Sequence, residues 1–149
     1  CLSTSAVMVN RKILEDTPFF SEDEKFITAE DYHLWLKLAK HNVRFGFLDQ
    51  ILGKCRIHEG NNSGFPIKNM MAVKSVFTDY YDKIKNPSLK IKILAWRRLA
   101  IIEYSGARGL QRNREHFRAL ITFIKAIARW PFIPKFYLAF LFNIFHLKL

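Results

Sequence analysis

Several residue types that mark whole classes of protein are scarce in this sequence. It has two cysteines, Cys1 and Cys55. They make no disulfide framework and lack metal-site spacing, so a disulfide-stapled secreted scaffold is excluded. Both read as small buried hydrophobes in a reducing compartment. The six glycines form no phosphate-cradling loop, since Gly60 and Gly64 lie in a polar stretch of the wrong context. No zinc spacing exists among the five histidines. Ser3 and Ser5 sit in no nucleophile elbow, and Cys55 has no base at a recognisable spacing. No apolar run reaches the ~20 residues that a membrane-crossing helix needs. A charged start followed by an apolar run and a cleavage site is also missing. Cys1 instead leads straight into a strand-like run, which reads as a piece of something longer.

What is present is apolar and unevenly charged. Half of the residues are hydrophobic and 14 are Phe, enough for a packed core and against global disorder. Residues 1–65 carry 8 Lys/Arg against 9 Asp/Glu, and residues 66–149 carry 16 against 4. A nearly neutral module is therefore followed by a basic one suited to an anionic partner.

Leu2 to Val9 is rich in β-formers and partly alternates, so it reads as a strand. Asn10 to Asp16 gives a short helical turn, which Thr17-Pro18 breaks. Phe19-Phe20 point to the core ahead of the acidic loop Ser21 to Glu24. Thr28 to Leu38 then follows as an amphipathic helix, ending near His41-Asn42. Tyr32, Trp35, Leu36 and Ala39 supply its buried face, and Thr28 with Asp31 a capping-box-like pair. His33 and His41 read as solvated. Val43, Phe45 and Phe47 alternate as a half-buried strand. Ile51 to His58 reads as a second one, with Arg56 and His58 on its polar face. The order strand, helix, strand, strand predicts an α/β unit over residues 1–64.

From residue 65 onwards the pattern is helical. Pro66 suits a first helical position, and a stripe runs from Met70 to Tyr81. Leu89 to Ser105 predicts a second helix, stopped around Gly106 and Gly109. Asn113 is placed to cap a third, from Arg114 to Trp130. Phe132 to Leu149 is a dense aromatic and aliphatic tail broken by Pro134 and Lys135. With the cationic helices before it, the tail reads as an in-plane anchor on an anionic membrane surface. The competing reading is a helix packed on protein. Clustered Lys/Arg with Trp96 and Trp130 also admits a basic module that binds nucleic acid. The strongly apolar opposite helix faces favour lipid instead, so no nucleic-acid partner is expected.

The chemistry-bearing residues are few. Glu30 and Asp31 stand in the first turn of a helix, where orphan amides and the dipole favour negative charge. Arg56 and His58 follow on the later strand. A carboxylate, a guanidinium and an imidazole at one sheet edge can deprotonate an acceptor hydroxyl and hold a diphosphate or its metal.

These residues carry a resemblance. Ser-x-Val-Met-Val, the Phe-Phe-Ser-Glu loop, Glu-Asp-Tyr-x-Leu-Trp-Leu-x-Leu and the Arg-Ile-His that follows resemble the C-terminal half of glycosyltransferase family 2, over roughly residues 1–63. The resemblance implies a GT-A fold and inverting transfer of a sugar from a nucleotide-diphosphate donor to a glycan or lipid-linked acceptor, in surface glycan or glycolipid synthesis. Carried over, Asp31 is the catalytic base and Glu30 its neighbour shaping the acceptor site. Ser5 borders the acceptor cleft, and Trp35 packs the motif helix beside it. Arg56 either stands near the phosphates or pairs with Glu30 or Asp31. His58 is either a ligand of a divalent metal, Mn2+ or Mg2+, or a plain surface histidine. The family's Asp-x-Asp motif and nucleotide-binding half have no counterpart here, so this chain alone is expected to be inactive. The basic tail would hold such an enzyme peripherally on the cytoplasmic face of the plasma membrane.

Overall fold

Six α-helices and one 3-10 turn make up the regular structure. In chain order these are α1 (Arg11–Glu15), the 3-10 turn (Glu24–Phe26), α2 (Glu30–Lys40), α3 (Pro66–Tyr81), α4 (Leu89–Arg112), α5 (His116–Arg129) and α6 (Pro134–Ile144). The computed structural model describes residues 6–16, 19–51, 53–54 and 65–146.

No strand forms among the described residues, so the expected α/β GT-A class does not hold for residues 1–64. The alternation itself is real at one of the expected strands. Val7 and Val9 pack against Leu34, Trp35 and Leu38 of α2, while Met8 between them is 99% exposed. Alternation fixes which side faces the core, but a strand also needs a neighbour to complete its hydrogen-bond ladder. Residues 43–51 have none. Val43 reaches the α2 cluster, whereas Phe45, Phe47, Leu48 and Ile51 stand exposed on a segment without regular structure. The outer parts of two expected strands, residues 2–5 and 55–58, lie outside the described residues.

The aromatic anchor of this part also differs from expectation. Phe19 and Phe20 are exposed, and Phe26 is the buried one. Asp23 caps the 3-10 turn by accepting the Lys25 amide hydrogen at 3.1 Å. The turn presses Phe26 and Ala29 onto Ala72 and Val76 of α3.

Helices α3 to α6 form a packed unit whose contacts rest on small residues opposite large ones. Ala107, Leu110, Ala119, Phe123 and Ala139 make one cluster, and Ala100, Ala126 and Phe136 the next. Tyr104 joins them, stacked on Phe136 with ring centroids 4.6 Å apart. Helix α4 does not stop at its glycines but runs to Arg112, with Asn113 as its C-cap. A glycine inside a helix costs about 1 kcal/mol, and here a close approach offsets that cost. A Cβ at Gly106 would overlap the Met70 side chain, and one at Gly109 would stand 2.6 Å from Pro66 Cβ. Arg114 takes a left-handed φ of 62° in the turn, so α5 begins at His116 rather than Arg114.

Candidate functional site

The acid pair lies where the helix begins, but the cap is not the expected one. Ala29 is the N-cap residue and offers no side-chain bond. Thr28 instead adopts φ 82°, a strained conformation for a β-branched residue. Its hydroxyl donates to Asn69 Oδ1 on α3 at 3.5 Å. Asp31 Oδ1 accepts the Tyr32 amide hydrogen at 2.6 Å, satisfying one of the orphan donors of the first turn. Glu30 Oε2 is buried with no hydrogen-bond partner among the described residues. Two half-buried carboxylates thus share one turn. One is tied to the backbone, and the other holds a buried oxygen with no donor among the described residues.

The face beneath them is shifted by about one position from the expected one. His33, Leu34, Trp35 and Leu38 are buried, Tyr32 and Leu36 are half-buried, and Ala39 is exposed. Trp35 is packed with Leu34 and Leu38 in the core of the α1–α2 corner. His33, expected in solvent, is stacked on Phe26 at 4.3 Å and meets the Tyr80 ring edge at 5.6 Å. The Tyr80 hydroxyl donates to the His33 carbonyl at 3.4 Å. Burial, reinforced by Asp79, pushes Tyr80 up to about 12, so that hydroxyl keeps its proton.

Burial in turn lowers the His33 pKa below the ordinary histidine value, with Lys37 adding to the effect. The unfolded chain therefore takes up a proton here more readily than the folded one. Stability is full above pH ~6.5 and falls as the pH drops below it. Urea unfolding at pH 7.5 and 5.5 should show this loss, and His33→Phe should flatten it. An equal slope in that variant would remove His33 as the cause.

A cation does stand beside this helix, though not one singled out in the sequence. Arg98 of α4 donates through Nη2 to the Tyr32 hydroxyl at 3.2 Å and lies over its ring, 5.5 Å from the centroid. The signal was its register. Ala95, Arg98 and Ile102 follow i, i+3, i+7, which places a guanidinium on the buried stripe of α4. Ser5, Arg56 and His58 lie outside the described residues. Among the described residues no group of three His, Cys, Asp or Glu side chains comes together to hold a metal. The divalent ion implied by the resemblance therefore has no donor set among them.

A cavity of about 600 Å³ opens beside the turn that leads into α2, lined by Lys25, Ile27, Phe65, Lys68, Met71 and Arg118 among others. Lys25 is paired with Asp23 at 2.8 Å and Arg118 with Glu115 at 2.7 Å. Neither Glu30 nor Asp31 lines this cavity. Set beside known families, curated proteins and solved structures, the chain matches none of them.

Proposed function

We propose that the Glu30-Asp31 turn serves inverting glycosyl transfer from a nucleotide-diphosphate sugar to a hydroxyl of a glycan or lipid-linked acceptor. One observation carries the reading: both carboxylates open a helix that buried Trp35 and Leu38 hold in place. The motif residues supply the rest, and the reading brings no GT-A sheet with it. Asp31 takes the proton of the acceptor hydroxyl as that oxygen attacks the anomeric carbon. The bond to the diphosphate breaks on the opposite face, the electron pair leaves with the nucleoside diphosphate, and the configuration inverts. Glu30, the neighbour of Asp31 in the same turn, shapes the acceptor side of the site. Arg98, on the ring of the residue next to Asp31, offers positive charge to an anionic group of either substrate.

The test compares Asp31→Asn and Glu30→Gln in the full-length protein as it occurs in the cell, with a panel of nucleotide sugars. Asp31→Asn should lower turnover at least about a hundredfold with donor affinity unchanged. Glu30→Gln should act mainly on the KM for acceptor. Wild-type turnover in Asp31→Asn would refute this reading.

A further inference from the structure

Helix α6 is apolar on two opposite sides, and only one of them is covered. Phe136, Ala139 and Asn143 are buried on α4 and α5. Tyr137, Leu138, Leu141, Ile144 and the following Phe145 face outward, between 41 and 67% exposed. Their spacing of i, i+1, i+4, i+7, i+8 puts all five on one stripe more than about 100° wide. Lys135 is the one Lys, Arg, Asp or Glu in residues 130–146.

The orientation of the stripe is fixed. Asn143 Nδ2 donates to the His116 carbonyl at 2.9 Å, and Asn143 Oδ1 lies 3.1 Å from His116 Nδ1. This clamp holds the end of α6 against the start of α5. Tyr104, stacked on Phe136, holds the other end. The bare face is therefore a standing feature of the packed unit.

Length and charge decide what covers it. Eleven helical residues reach only ~16 Å, about half of the ~30 Å hydrocarbon layer. No helix of the described residues is long and apolar enough to cross a membrane. Lys90, Lys92, Arg97 and Arg112 of α4 and Arg114 just after it are exposed, and none has a carboxylate within 4.0 Å among the described residues. A second copy of the chain would bring the same net charge of +11 and repel. An anionic bilayer attracts those cations and accepts the stripe.

We propose that α6 lies in the plane of an anionic membrane surface. Its Tyr137, Leu138, Leu141, Ile144 and Phe145 enter the headgroup–acyl boundary, with the exposed cations of α4 attracted to the lipid phosphates. Tyr137 suits that boundary, its ring apolar and its hydroxyl wet. The anionic leaflet facing the cytoplasm is the surface with this chemistry. The inference rests on residues apart from the acid pair, and its test reads no turnover.

The test is flotation of the full chain with phosphatidylglycerol–phosphatidylcholine vesicles and with phosphatidylcholine alone. The wild type should float with the first and at least about tenfold less with the second. Leu138→Asp/Leu141→Asp should lower flotation at least about tenfold. The pair Ile121→Asp/Ile124→Asp, on the outer side of α5, should stay within about twofold, since that side is not the seat. Far-UV circular dichroism checks each fold, and Leu138→Ser/Leu141→Ser replaces the aspartates if they unfold the chain. Four results would overturn the proposal. They are a wild type that stays at the bottom, equal flotation on both vesicles, a folded α6 variant that floats like the wild type, and an α5 variant that loses as much as the α6 one.

Discussion

Phe123→Ala is expected to destabilise the helical unit by about 4 kcal/mol. The side chain is fully buried at the centre of α5, among Ala107, Leu110, Ala119 and Ala139. Its ring also meets Tyr104 at 5.9 Å. The size of the effect follows from those neighbours. Alanines on three helices have no side chain to swing into the vacated space, so the cavity persists instead of collapsing. Domains of this size hold together by only about 5–15 kcal/mol in all. Urea unfolding followed by circular dichroism should show a lower midpoint at unchanged slope. Phe123→Leu should cost less than half as much. A loss below about 1 kcal/mol for the alanine variant would mean that the α4–α5–α6 contact is looser than described.

Arg129→Ala is expected to cost about 3 kcal/mol. Nε of Arg129 donates to Glu103 Oε2 at 3.0 Å and Nη2 to Oε1 at 2.9 Å, a bidentate bridge from α5 to α4. The Glu103 side chain is only 7% exposed and that of Arg129 27%. Removing the guanidinium therefore strands a carboxylate out of reach of water. Most of the loss comes from that stranded charge, not from the worth of the bridge itself. Removing both charges at once tests this account. Glu103→Gln/Arg129→Met should unfold within about 1 kcal/mol of the wild type, recovering most of what the single variant loses. A double variant as weak as Arg129→Ala would make the bridge, not the desolvated acid, the source of stability.

The helices were legible because their punctuation is local. Pro66 opens α3 at a first-turn position as expected, whereas Pro134, expected to break the tail, opens α6 in the same way. The reading failed where a residue has two uses. Gly106 and Gly109 look like a helix stop, but they are the surface on which α3 rests, and only the second helix reveals that. Val7 and Val9 do pack inward on either side of exposed Met8, yet no partner strand exists among the described residues to turn that alternation into sheet. His33 was misplaced by a rotation of the helix too small for a short amphipathic pattern to resolve. The acid pair was visible as first-turn chemistry. Arg98 on the neighbouring Tyr32 was not, because a lone arginine sixty-six residues further on carries no mark of which side chain it will meet.

The two glycines of α4 also limit how the molecule can move. Pro66 and Met70 sit in them like teeth in successive notches. Sliding α3 along α4 by a fraction of a turn would drive those side chains into the notch walls. A whole-turn slide of ~5.4 Å would set one of the two side chains against a residue that carries a Cβ, so α3 is held in a single register. Since α3 also holds Phe26, Ala29 and, through Asn69, Thr28, the carboxylate turn is tied to the same register.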